Sequence, residues 1–371
     1  MSEHSEIQWT DHTFNSWSGC EKVSEGCTFC YAGDAPPSMR RFAEWGPGKP
    51  RIPATDSYWD QALRWFEAAQ KAKVRHRVFA HSMSDVFEDR DDLDPLRDRL
   101  LALSQFTRGS REGGLDWLLL TKRLDKAHRY LNDPGLYDRL LRAADWWRNR
   151  HPELNSRPID NPQQSGFHVW YRNVQIGASV ENQKAAETRI PWLLKINASV
   201  RFLSCEPLLG PLELGDSLGG CRCFVEALEG AGQHAPSCPA TRPRIDWVIV
   251  GGESGTRRGV RPMHPDWARG VRDQCDRADV PFFFKQWGEY VEVNGPARDP
   301  KTGQHTDIDP VKEPERFTNG LSIGIAPNGA VARSVREMRQ GVRYRHMHRL
   351  GKKHTGRELD GRTHDAFPAP R

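Results

Sequence analysis

From about residue 77 the chain repeats one pattern: a short run of β-branched and aromatic residues, a polar or charged residue at its end, then apolar positions at helical spacing. The runs are Arg77–Asp85, Asp116–Arg123, Val174–Asn182, Val200–Pro207, Asp246–Ser254 and Pro281–Trp287, and a short strand-like stretch from Phe14 to Trp17 makes seven. The stretches between them carry helix signals. Over 56–73, Trp59, Leu63 and Phe66 with Ala62 and Ala69 form one apolar face, behind the capping candidates Thr55, Asp56 and Ser57. Asp94-Pro95 puts a cap and then proline at the first helical position, ahead of Leu96, Leu100 and Leu103. His264-Pro265-Asp266 opens a helix with Trp267, Val271 and Cys275 on one side.

Near-continuous apolar strands alternating with helices predict a parallel sheet covered on both faces, either doubly wound or closed toward a barrel. The strand ends favour the barrel. Asp85, Lys122, Arg123, Glu181, Asn182, Glu206, Glu253, Lys285 and Gln286 follow the apolar parts of different strands. A barrel gathers all such ends at one mouth, whereas a doubly wound sheet concentrates function at one crevice. Two insertions interrupt the series. The first, 124–171, contains a helix around Leu136 to Arg148 whose Trp146 and Trp147 read as core rather than as stacking platforms for bases. The second, 219–243, carries Cys221, Cys223, His234 and Cys238 in a Gly/Pro-rich loop too polar to make its own core. Four such ligands predict a structural Zn2+, with free thiols as the alternative.

With 371 residues and a mean hydropathy of -0.73, the chain has no apolar run of membrane length, and its polar first residues lack the layout of a signal peptide. A cytoplasmic protein without membrane contact is expected. Eight cysteines in such a chain point to metal ligation or redox chemistry rather than to a disulfide framework. The net charge of +5 is concentrated late: between Arg333 and Asp365 there are ten Arg or Lys against four Asp or Glu. Such a segment reads as a phosphate-backbone footprint or as a solvated tail. Within it, the turn-rich stretch Gly351 to Arg362 suits phosphate binding or a tail packed across the barrel.

The main chemical candidate is the loop from Gly19 to Ala32, where Cys20, Cys27 and Cys30 are spaced C-x6-C-x2-C. Three thiolates with no obvious fourth protein ligand suit a cubane iron–sulfur cluster that keeps one iron free. A structural zinc site completed by His12 or His4 is the competing reading, and spacing alone does not separate the two. The position of the loop, between a strand-like stretch and a long helical region, is that of a site rim and favours the cluster.

Several strings together resemble one family, the three-Cys-motif family of phage proteins of unknown function. They are Gln8-Trp9-Thr10 with Asn15 and Trp17, the loop from Cys20 to Ala32, Leu119 to Arg123, Gly177 to Glu181, Ser204 to Leu208, Val248 to Gly255, Phe284 to Gly288, and Gly351-Lys352-Lys353 leading to Leu359 to Arg362. The match spans nearly the whole chain. Cys27-Thr28-Phe29-Cys30 also resembles the second half of the radical S-adenosylmethionine signature, with a longer first gap, and the wider likeness is to spore-photoproduct-lyase-like enzymes acting on DNA. That likeness implies a partial (β/α) TIM-like barrel of six to seven parallel strands. It also implies a [4Fe-4S] cluster at the mouth, with S-adenosylmethionine on the free iron and cleaved by one electron to a radical that abstracts hydrogen from the substrate.

Carried over residue by residue, the likeness makes Cys20, Cys27 and Cys30 the cluster ligands and Phe29 the aromatic packed over the cluster. The Gly-Gly-Glu signature that would hold the cofactor's amino group is missing after the second strand. His81-Ser82-Met83-Ser84-Asp85 stands there, with Ser82, Ser84 and Asp85 as substitutes, and Gly251-Gly252-Glu253 is a look-alike on a later strand. Ser179, Glu181 and Asn182 fall where the ribose is held. Lys122, Glu206 and Lys285 are catalytic candidates at strand ends, and Cys205 is a candidate hydrogen donor with a core role as its alternative.

The expected organisation is a barrel domain over 1–290 and a basic extension over 291–371. The expected function is modification or repair of a nucleic acid or nucleotide, with flavodoxin or ferredoxin as reducing partner. A zinc-stabilised nucleic-acid-binding protein without catalysis is one alternative. A metal-dependent barrel hydrolase using Asp85, Glu181, Glu206 and Glu253, with His81 as its best histidine, is the other.

Overall fold

The structure is a computed structural model that describes residues 5–161, 171–215, 244–255, 259–292, 297–298, 305–306, 322–333 and 337–369. Its centre is a parallel sheet of seven strands: β1 (His12–Phe14), β2 (Arg75–Ala80), β3 (Gly114–Thr121), β4 (Val174–Ser179), β5 (Arg201–Cys205), β6 (Trp247–Gly251) and β7 (Phe282–Gln286). Each strand pairs with the next in the chain, in the order β1 to β7. Right-handed crossovers in a sheet of sequential order all fall on one side, so the helices cover one face and the sheet curls around the other as a half-barrel.

The main helices are α1 (Gln61–Ala72), α2 (Asp94–Phe106), α3 (Leu124–Leu131), α4 (Leu136–Arg150), α5 (Gln183–Lys195) and α6 (Pro265–Arg277). The expected helix over 56–73 is a short turn, Asp56–Trp59, followed by α1, which ends where Lys73 turns to a φ of 55°. His264 caps α6 by accepting a hydrogen bond from the Asp266 amide through its Nδ1, at 3.1 Å. The stretch read as the first insertion holds two helices. α3 is the crossover from β3 to β4, and α4 packs on α2. Trp147 is fully buried, donates its indole N–H to the Arg99 carbonyl at 3.0 Å and meets Trp59 edge-on, so it belongs to the core.

The two-residue period of the strands sorts their side chains into two cores. Val78, Trp117, Leu119, Ile176, Leu203, Cys205, Val250 and Phe284 face the helices. Phe79, Leu118, Phe202, Trp247, Ile249 and Phe283 face the hollow of the sheet, and Trp9 joins them with its ring 4.8 Å from Phe79. Burying such side chains contributes about 1.5–3 kcal/mol each. Gly177 sits in this layer because a Cβ there would run into the ring of Phe202. Toward the strand starts lies a cavity of about 1010 Å3 lined by Arg75, Arg77, Arg108 and Arg172 among others. Toward the strand ends lies the mouth.

After β7 the chain builds an antiparallel sheet from β8 (Tyr290–Glu292), β9 (Ser322–Ile325), β10 (Val331–Ala332) and β11 (Arg345–Arg349), in the order β8-β11-β9-β10. The basic segment is therefore no loose tail. Two of its arginines are paired within the fold: Arg345 with Asp266 (3.0 Å) and Glu292 (3.3 Å), and Arg357 with Asp365. His364 to Ala366 then runs beside β7, accepting from the Phe284 amide at 2.9 Å, and Phe367 enters the inner core beside Trp247 and under Arg77 of β2. Among the described residues no helix is long and apolar enough to cross a membrane. Cys221, Cys223, His234 and Cys238 lie outside the described residues.

Candidate active site at the strand ends

The cysteine loop begins where β1 ends. Asn15 ties that end to the loop after β2, accepting from the Met83 amide at 2.7 Å and donating to Ser82 Oγ at 3.1 Å. Gly19 then turns the chain at a φ of 107°, a conformation that glycine adopts without strain. Its amide donates to the Met83 carbonyl at 3.2 Å. Beyond Cys20 the loop crosses the strand ends. Glu25 accepts from Asn182 after β4 (3.3 Å) and from Arg261 after β6 (3.1 Å). Gly26 packs on Glu181, where a Cβ would lie 3.1 Å from the carboxyl carbon. Phe29 lies against Gly259 and 5.4 Å from the Arg261 guanidinium.

Beneath the loop is a cavity of about 320 Å3. Cys20, Cys27, Phe29 and Cys30 form one wall, Ser82, Ser84 and Asp85 another, and Lys122, Ser179, Glu206, Glu253 and Lys285 complete the lining. Three residues named with them from sequence stand elsewhere. Glu181 is buried behind Gly26, and Asn182 caps α5 by accepting from the Ala185 amide at 3.0 Å. Cys205 corrects the sequence reading most plainly. It follows inward-facing Ser204 on β5, so the strand period turns it outward into the helix-side core, fully buried, and it cannot serve as a hydrogen donor at the mouth.

Each carboxylate named for the site has its own cation. Asp85 pairs with Arg123 (2.9 Å), Glu181 with Arg189 (2.6 Å), Glu206 with Lys285 (3.0 Å) and Glu253 with Arg261 (2.5 Å). Burial alone would raise the carboxyl of Asp85, but Arg123 and hydrogen bonds from Thr121, Lys122 and Phe87 outweigh it and hold it below the usual range. Those four bonds take up both oxygens, two on each. Asp85 thus positions Arg123 and presents no free oxygen to a ligand, contrary to its expected cofactor-holding role. Glu181 is likewise held low: burial would raise it, and Lys122 and Arg189 prevail.

Arg123 in turn stands beside the Cys20 thiol: the Glu21 carbonyl accepts from both, at 3.3 Å from the guanidinium and 3.5 Å from the thiol. Burial and the nearby Asp85 charge push that thiol up to about 12, with Arg123 opposing them. His12 does not join the cysteines. It lies on the helix side of β1, 3.0 Å from His76 Nδ1 and stacked on Trp65. Among the described residues no group of three or more His, Cys, Asp or Glu is arranged to hold a metal ion.

Sequence reasoning missed two residues that build the mouth. Arg261 fastens the loop across it and Lys352, from the C-terminal segment, lines its rim. His81, named from sequence as the hydrolase alternative's best histidine, also lines it, with a φ of 68°. Of the two missed residues only Lys352 had a signal, in the string Gly351-Lys352-Lys353.

A parallel half-barrel with a three-cysteine loop laid over its strand ends describes the class of protein. The chain belongs to the family DUF5131, described as a protein of unknown function, whose model matches residues 4–368. No curated protein and no solved structure matches it.

Proposed function

We propose that the protein is a radical S-adenosylmethionine enzyme that modifies or repairs a nucleic acid or nucleotide, built on a partial TIM-like (β/α) barrel. The observation that carries the reading is the position of Cys20, Cys27 and Cys30 on one wall of a cavity at the strand ends of a parallel sheet. All three are free thiols, the ligand type a [4Fe-4S] cluster takes. A cubane binds each thiolate through a different iron, so its ligands stand further apart than those of a single ion. Three free thiols lining one cavity are the donor set that suits the group. When bound, the cluster and S-adenosylmethionine would supply hydrogen abstraction from an unactivated C–H bond, with an electron from a flavodoxin or ferredoxin.

The chain's own residues bind, orient and shield. Cys20 is a neutral thiol in the metal-free protein, so ligation displaces its proton. Arg123, fixed by Asp85, is the cation placed to stabilise the thiolate. Phe29, held between Gly259 and Arg261, closes the loop over the cavity against water. Ser179 and Ser204 offer hydroxyls from neighbouring strands, and the Glu206–Lys285 pair faces them. The committed carboxylates speak against the hydrolase alternative, which needs free oxygens for a metal. The Cys221, Cys223, His234 and Cys238 group is proposed to hold a structural Zn2+.

The test is iron, sulfide and zinc content of protein purified without oxygen, beside Cys27→Ala. About four irons and four sulfides per chain, lost in the variant, are expected. Zinc without iron would overturn the reading in favour of a zinc-stapled binding protein.

A further inference from the structure

Charge pairing at the mouth leaves two cations over. Asp85, Glu206 and Glu253 each face a partner of opposite sign within 3.0 Å, and Glu21 lies 3.7 Å from Arg123. Lys122 and Lys352 line the same cavity, and among the described residues no carboxylate stands within ion-pair distance of either ammonium.

Lys352 is not a lysine on a loose loop. The Leu350 and Gly351 amides both donate to the Glu289 carbonyl at 3.1 Å, and Gly351 turns the chain at a φ of 83°. Thr355 Oγ1, buried, donates to the Gly288 carbonyl at 2.8 Å, and Arg357 donates to the Lys285 carbonyl at 3.1 Å. The segment from 350 to 357 is thus fastened to the end of β7. Loss of solvent first and then the neighbouring Lys285 charge hold Lys352 below the ordinary lysine value, with Glu206, Glu6 and Glu289 opposing.

We infer that Lys122 and Lys352 form the anion-binding part of this mouth and take a phosphate group of the substrate. The inference deepens the proposed function and rests on it for the identity of the site. Two ammonium groups are point-charge partners for phosphate, and although Glu181 feels the Lys122 charge, neither lysine is held in a close ion pair among the described residues. A cavity of about 320 Å3 admits one small moiety, so the rest of a nucleic acid strand would lie across the rim where Lys352 stands.

Equilibrium binding tests this on the full chain. The probes are a short fluorescein-labelled single strand, a nucleoside monophosphate and the nucleoside without phosphate. Lys352→Ala and Lys122→Ala should each weaken binding of the phosphate-bearing probes several-fold and flatten the salt dependence of the labelled strand by about 0.7 in log–log slope per lost contact. Lys352→Arg should keep binding, and Lys353→Ala, next to the site but not lining it, should match the parent.

A monophosphate that competes as well as the strand supports a free nucleotide as the phosphate source; a strand that binds much more tightly supports nucleic acid. Parental binding by both alanine variants, equal binding of the bare nucleoside, or no binding of either phosphate-bearing probe would overturn the inference. The two readings fail separately. Iron without phosphate binding removes only this one, and phosphate binding without iron removes only the radical reading.

Discussion

His81 shows what a single residue is asked to do at the mouth. Ser84 Oγ donates its one proton to the Trp17 carbonyl at 3.0 Å, so His81 Nδ1, 2.7 Å from the same oxygen, must be the protonated nitrogen. Nε2 is then a bare acceptor, buried and without a partner among the described residues. Burial first, with Arg97 and Arg41, lowers the imidazole from 6.5 to about 3 against the pull of Asp85. The sign of the consequence is fixed. Between pH 6.5 and 3 the unfolded chain binds a proton that the folded one refuses, so stability falls as pH falls through that window and is unaffected above it. Urea midpoints at pH 7 and pH 5 should show this loss, and His81→Asn, which tolerates the left-handed backbone, should show less of it. Equal slopes in the two proteins would refute the assignment. None of this was legible in the string His81-Ser82-Met83-Ser84-Asp85, because a tautomer and a left-handed φ depend on neighbours that arrive from β1 and its loop.

At the scale of elements, period and punctuation carried far. The apolar runs became β2 to β7, and Asp94-Pro95 and His264-Pro265 open α2 and α6. Arg345–Arg349 was unreadable as a strand because only Met347 of its five residues is buried; its place comes from pairing with β8 and β9. The last residues act in the same way. His364 to Ala366 covers the edge of β7, and Phe367 closes the inner core against Trp247 and Phe283. Deleting 364–371 should therefore lower the melting temperature by several degrees and promote self-association through the bared edge, read by thermal unfolding and size-exclusion chromatography. A monomer melting like the parent would show that the segment is only an appendage.

At the scale of the whole molecule, the mouth exists because parts distant in sequence close on it. Glu25 links the cysteine loop to Asn182 and Arg261, residues 157 and 236 positions away. Glu25→Ala removes both side-chain ties without leaving a buried charge and keeps only the Arg261 bond to the residue 25 carbonyl (3.1 Å), so alkylation of Cys27 and Cys30 in the metal-free protein should be several-fold faster; an unchanged rate would mean that this and other backbone contacts hold the loop. By itself the sequence determined the succession of strands and helices, the parallel sheet and the three thiols of one short loop, because periodicity and spacing are local properties of the chain. Only the tertiary structure decided that Cys205 belongs to the core while Ser204 faces the cavity, that the carboxylates at the strand ends are each neutralised, and that Lys352 reaches the rim. Which face a strand turns inward, and which charge finds which partner, are settled by packing between segments that the chain itself keeps far apart.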